Sequence, residues 1–419
     1  MTQTSMCLLL LYIVNAATLP DWPYAAVWNC ATILCVHKGV PLFNVTKFDI
    51  LQNINDSRMG QYITLFPGIG KMPVINNGEY INGGIPQLGD LAAHVSNASQ
   101  DIQRLIPDED YDGLAVLDFE TWRPLFEHNF DSMSIYQKAS VDLVKQQYPN
   151  WTDNDLILAT AKAQWDAAAQ LFMESTLMVG HQLRPRALWG YYEFPRCYGN
   201  IVDLQCDSGS QESNDKLMWL YEASTALFPS LYLSALHNST GSHMQVAYMK
   251  EAQRVVSQRS APIPIYPYTQ YLYERSQLFL DDVANGLSSS RYSRRDRQVM
   301  GYLFQVIGPD DLLLSYLIPA LSGASGVVIW GGTDTVANPF ICEQAKLYVD
   351  QTLGPTLQWI TEWTQQCSRD HCSGNGHCVT ISDSFKINPF TEPTDDLISC
   401  DCYINYSGKN CSIKYVNII

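Results

Sequence analysis

Asp118 and Glu120 are the residues of this sequence best placed to do chemistry. They close the run Gly113-Leu114-Ala115-Val116-Leu117-Asp118-Phe119-Glu120, in which four apolar residues after a glycine read as a buried strand. Side chains at i and i+2 of a strand point to the same side, about 6.6 Å apart along the chain. Two acids so placed repel when both are ionised, so one is expected to keep its proton near neutral pH, as a general acid must. An isolated Asp-x-Glu is more often a pair of surface acids at a strand end, so the weight falls on the residues and elements around it.

The chain has 419 residues, enough for a barrel plus a small module. It is 46% hydrophobic and only 16% charged, which excludes a disordered protein. Short apolar segments at 25–29, 62–65, 114–119, 187–192, 263–268 and 326–330 alternate with helical stretches, the pattern of an α/β protein with a parallel sheet. The clearest helix is 153–183, with Thr152 as its expected N-cap; 134–147 and 215–226 are shorter candidates, and 207–214 and 382–396 read as loops. Repeated strand-helix order predicts a TIM-like barrel, whose chemistry sits at the C-terminal ends of its strands. Asp118 and Glu120 end one strand, Tyr192 another and Trp330 a third. A net charge of −16 disfavours nucleic acid and anionic membrane as partners. For an anionic substrate, cationic or neutral hydrogen-bonding residues are expected to gather at the cleft.

Several motifs recur with the acid pair: Val27-Trp28-Asn29, Asn82-Gly83-Gly84-Ile85-Pro86-Gln87-Leu88-Gly89, the acid run with its Trp122-Arg123-Pro124 tail, Leu188-Trp189-Gly190-Tyr191-Tyr192-Glu193-Phe194-Pro195, Leu227-Phe228-Pro229-Ser230-Leu231-Tyr232 and Gly326-Val327-Val328-Ile329-Trp330. In these residues and their order the chain resembles the hyaluronidases, glycoside hydrolases of hyaluronan and chondroitin. The resemblance implies a distorted β/α barrel that needs no cofactor or metal and takes a glycosaminoglycan polymer as its partner. It implies Glu120 as proton donor, Asp118 orienting the substrate's acetamido group, Tyr192 and Tyr232 holding that group, Trp330 walling the pocket and Glu274 as a further substrate contact. Both acids leave one strand end, so they cannot flank a sugar ring as the two carboxyls of an ordinary glycosidase do. The substrate's own 2-acetamido carbonyl is then the expected nucleophile, and β-1,4 linkages are cut with retention. The pattern is departed from at Phe119, where many relatives carry Trp, at Glu193, where vertebrate members often have Gly, at Tyr248, where several place Arg, and at Glu274, where they place Asp. Without a guanidinium at 248, tight carboxylate binding is weakened, which leaves hyaluronan and chondroitin both open. A non-catalytic polysaccharide- or cell-surface-binding barrel is the rival reading.

Residues 1–17 resemble a secretory signal peptide, with an apolar run from Met6 to Val14. A barrel is expected over 18–358 and a small module over 359–419, joined near 359–366. The last six of twelve cysteines, Cys367, Cys372, Cys378, Cys400, Cys402 and Cys411, are spaced as either a disulfide framework or a zinc site; secretion favours disulfides. The spacing resembles an epidermal-growth-factor-like (EGF-like) module, which implies Cys367–Cys378, Cys372–Cys400 and Cys402–Cys411. Family resemblance further implies Cys35–Cys342 and Cys197–Cys206. Cys7 leaves with the signal peptide, and Cys30 remains as a buried thiol or, alternatively, an intermolecular bridge. Sequons at Asn44, Asn55, Asn97, Asn150, Asn238 and Asn405 fit a secreted or lysosomal glycoprotein. No later run is long enough to span a membrane, and a monomer is expected.

Overall fold

Among the described residues, seven short strands and one bridging segment, all parallel, carry the architecture: β1 (Ala25–Cys30), β2 (Leu51–Gln52), β3 (Ile63–Phe66), β4 (Leu114–Leu117), β5 (Leu188–Tyr191), β6 (Tyr268–Gln270) and β7 (Gly326–Gly331). The computed structural model describes residue 19 and residues 22–233, 241–273, 311–380 and 398–415. The spatial order is β3-β4-β5, then residues 227–230, then β6-β7-β1-β2. Residues 227–230 join the two halves through parallel bridges from Phe228 to Tyr192, from Leu227 to Ile265 and from Ser230 to Tyr268. Between β2 and β3 a side chain takes the place of ladder bonds: Asn53, 2% exposed, accepts from the Tyr62 and Ile63 amides and donates to the Ile63 carbonyl.

Strand period divides the apolar residues between two cores. Val27, Ile63, Leu65, Leu114, Val116, Phe228, Tyr268 and Val328 fill the interior. Their neighbours Ala26, Trp28, Phe66, Ala115, Leu117, Trp189, Val327 and Ile329 pack outward against the helices. Burial on both faces is why these strands read as continuous apolar runs. The same alternation carries Asp118 inward after Val116, Tyr192 inward beside Phe228, and Trp330 inward after Val328.

The helix expected over 153–183 is Asn154–Leu183, but its N-cap is Asp153 rather than Thr152. The Asp153 carboxylate accepts from the Asp155 and Leu156 amides, which a residue one step earlier cannot reach. The stretch 207–214, expected as a loop, is mostly helix Ser208–Lys216, started by Asp207, whose side chain caps Ser210. The helix expected over 215–226 is instead the end of that helix plus Met218–Ala223, and Ala226 already belongs to the interior. Regular pairing in 263–268 begins only at Tyr268, because Pro262, Pro264 and Pro267 have no amide to donate. Helix Gly354–His371 runs through the expected junction at 359–366 and delivers Cys367 to the C-terminal module. There Gly376–Thr380 pairs antiparallel with Ile398–Cys402.

The described residues form the disulfides Cys35–Cys342, Cys197–Cys206, Cys367–Cys378, Cys372–Cys400 and Cys402–Cys411. Cys30 is a buried free thiol. Among the described residues no helix is long and apolar enough to cross a membrane, and no cluster of His, Cys, Asp or Glu has the makings of a metal site. Residues 1–17, Asn238, Glu274 and the expected loop 382–396 lie outside the described residues.

Candidate active site

A cleft of about 480 Å³ opens at the C-terminal ends of the strands, with Asp118, Glu120, Arg123, Tyr192, Glu193, Tyr232 and Trp330 among its walls. Asp118 follows the last residue of β4 and is held by its amide, which donates to the Phe66 carbonyl of β3. Next door, the Tyr192 amide donates to Leu117 and the Glu193 amide to Phe228, so four chain segments converge within one layer.

The tail of the acid run anchors the loop that carries Glu120. Trp122 is buried, donates Nε1 to the Pro73 carbonyl and meets Phe119 and Trp165 edge-on. The fully buried Asn129 accepts from the Arg123 amide and donates to the Arg123 carbonyl, while Trp165 donates to that same carbonyl. A loop this tied leaves Glu120 little freedom.

Asp118 and Glu120 are hydrogen-bonded to each other, with Glu120 as donor. Burial pushes Glu120 up to about 7 from its ordinary 4.5. The neighbouring charges of Glu193 and Asp118 add to this, and Arg123 opposes it. Asp118 is also raised, chiefly by burial, although the Glu120 hydrogen bond and the Arg58 charge pull it down. The pair therefore shares one proton near neutral pH, and Glu120, on the solvent-exposed side of the cleft, holds it.

The aromatic wall is continuous. The Tyr192 ring lies 6.1 Å from Tyr232 and 5.0 Å from Tyr268, and Tyr268 lies 6.4 Å from Trp330. The Tyr192 hydroxyl donates to Ser230 Oγ at 3.2 Å, and Tyr232 and Gln270 line the same wall of the cleft. Burial raises both phenols, so they stay neutral. The Tyr268 hydroxyl and both polar side-chain atoms of the buried Asn29 have no protein partner. Tyr248 also lines the cleft and donates its hydroxyl to the Cys197 carbonyl.

Two features were not legible in the sequence. Arg58, from the turn before β3, stacks its guanidinium 4.2 Å from the Trp330 ring and donates to the Gly331 carbonyl. Together with Arg123 and Arg196 it supplies the cationic residues that an acidic protein needs at a site for anions. Glu193 is a third carboxyl in the cleft, contributed by a strand other than that of Asp118 and Glu120. Sequence reading marks Glu193 only as a departure from the family pattern, and the fold is what brings it into the cleft beside the acid pair. The bend after β5 turns Glu193 inward, and its two oxygens contact Arg123 at 3.0 Å and Arg196. Of the sequons, Asn44, Asn55, Asn150 and Asn405 are exposed, whereas Asn97 lies within helix Leu91–Leu105 with its amide on the Ala93 carbonyl.

The family model for hyaluronidase matches residues 14–289 and 304–389. The chain belongs to the hyaluronidase family. It is a glycoside hydrolase, similar to human Hyaluronidase-1 (35% identity, covering 89% of this chain and 83% of that protein). It is similar as well to the chondroitin hydrolase of Caenorhabditis elegans (32%, covering 96% and 83%). The crystal structure of bee venom hyaluronidase with a hyaluronic acid tetramer superposes with a TM-score of 0.69 at 31% identity, covering 80% of this chain and 99% of that one. The hyaluronidase fold thus accounts for the barrel.

Proposed function

We propose that this hyaluronidase-family chain is a secreted endo-β-N-acetylhexosaminidase that hydrolyses β-1,4 linkages of chondroitin and hyaluronan with retention of configuration. The observation that carries the reading is the hydrogen-bonded Asp118–Glu120 pair, with Glu120 raised to about 7 at the mouth of a tyrosine-walled cleft. Glu120 protonates the leaving oxygen while the acetamido carbonyl of the bound hexosamine attacks its anomeric carbon. Asp118 accepts the acetamido N–H, which aims the carbonyl and strengthens it as a nucleophile. Tyr192 and Tyr232 donate toward the acetamido oxygen, and Trp330 closes the pocket behind the sugar. The ionised Glu120 then removes a proton from the incoming water. Glu193 does not serve as the nucleophile, because both of its oxygens are engaged by arginines.

Tyr248 lines the cleft where an arginine would grip the glucuronate carboxylate that hyaluronan and chondroitin share, so this position weakens binding of both and leaves both within the substrate range. The similar Caenorhabditis elegans protein is a chondroitin hydrolase. Five disulfides support an extracellular or lysosomal location. The test is incubation with hyaluronan and with unsulfated chondroitin, followed by product sizing and proton NMR of the first products. Even-numbered oligosaccharides with an initial β-anomer are expected. An initial α-anomer would mean inversion, with Glu193 as the base, and binding without shortening of either polymer would leave a carbohydrate-binding barrel.

A further inference from the structure

Glu193 occupies an unusual position for its type. Its φ is +80°, in the left-handed region that costs a residue with a Cβ and costs glycine nothing. A carboxylate held there at the expense of local strain, half-buried and aimed into the cleft, calls for a compensating contact. That contact is a pair of arginines: Arg196, bound to Oε1, and Arg123, whose Nη2 lies 3.0 Å from Oε2. Arg123 is buried, and its contact with Oε2 is one of charge without hydrogen-bond alignment. Its remaining N–H groups are therefore not saturated by Glu193. Both arginines also line the cleft.

We propose that Glu193 is an internal anion that competes with the polymer's carboxylates for Arg123 and Arg196 and so sets the specificity of this site. The inference rests on the functional reading above. Two guanidiniums and one carboxylate leave a single positive charge, where a cleft without Glu193 would present two. An acidic sugar gains that charge only by displacing Glu193 or sharing the arginines with it, so affinity for the densely anionic polymer is held down. Glu193 also faces the proton donor, along with Asp118 and Arg123, with Arg58 beyond Trp330. After burial, its charge is the next largest influence raising Glu120.

The test is Glu193→Gly, which suits the positive φ, and Glu193→Gln, which keeps the shape, each assayed on unsulfated chondroitin and on its carboxyl-reduced, neutral counterpart at low and physiological salt. Both variants should lower KM for the native polymer about threefold to tenfold at low salt, with a steeper salt dependence, and leave KM for the neutral polymer within about twofold. The alkaline limb of the kcat profile should move to lower pH in both. Turnover with equal KM changes on the two polymers, or with none, overturns this proposal and leaves the functional reading intact. Absence of turnover in the unmutated protein overturns that reading and this proposal with it.

Discussion

Glu120→Gln should make the protein inactive and, above neutral pH, more stable. In the unfolded chain the Glu120 carboxyl loses its proton near 4.5; folded, it keeps it up to about 7. Below pH 4.5 both states are protonated and the residue contributes nothing. Between 4.5 and about 7 the unfolded chain releases the proton and the folded protein does not, so stability declines as pH rises, and above about 7 the cost is constant. At ~1.4 kcal/mol per pH unit the gap corresponds to about 3 kcal/mol. Glu120 is open to water on one side, and solvent screening reduces the figure to about 1–2 kcal/mol. Glutamine keeps the shape and can still donate to Asp118, but it carries no charge and has no proton to deliver. The variant should therefore gain about 1–2 kcal/mol at pH 8, gain nothing at pH 4, and lose at least the 10²–10⁴-fold that general acid catalysis supplies. Urea unfolding at the two pH values reads the first effect and reducing-end release the second. A variant that turns over polymer like the unmutated protein, or whose stability gain is the same at pH 4 and pH 8, refutes the assignment of the proton to Glu120.

Tyr192→Phe and Tyr232→Phe should lower kcat more than they raise KM, since their contacts strengthen as the acetamido oxygen gains charge; a change confined to KM would reduce them to binding residues. Polymer whose hexosamines are N-deacetylated should resist cleavage although its added positive charge suits an acidic protein, and rapid cleavage would remove the acetamido nucleophile. Asn53→Ala should cost about 2–4 kcal/mol by denaturant unfolding, because it strands buried amides and a carbonyl between β2 and β3; a loss well below 1 kcal/mol would mean the seam closes without it. Cys35→Ser opens a crosslink spanning 307 residues and should cost about 5–6 kcal/mol in the chain-entropy model, seen as a sharp fall in secreted yield; unchanged yield and unfolding midpoint would count against that role.

What the sequence by itself determined rests on local periodicity. Alternation along 114–120 is enough to put Asp118 and Glu120 on one face, because a strand's side-chain period is two whatever surrounds it. Runs of apolar residues at barrel spacing likewise announced strands buried on both faces. Helix starts were less legible: Thr152 and Asp153 are both capping types, and only the backbone geometry chose Asp153. The prolines of 262–267 are visible in the sequence, but where pairing resumes, at Tyr268, depends on the neighbouring strand. Tertiary structure alone decided the charge state of the site, since Glu120 is raised by burial and by Glu193, 73 positions away, and neither is a property of sequence spacing. It alone brought Arg58 against Trp330 from across the β2–β3 seam and turned Glu193 between Arg123 and Arg196. Arg58 with Trp330 and Arg123 with Glu193 are pairs remote in sequence, which only the packing of distant strands makes neighbours; Arg196 is local to Glu193, three residues on.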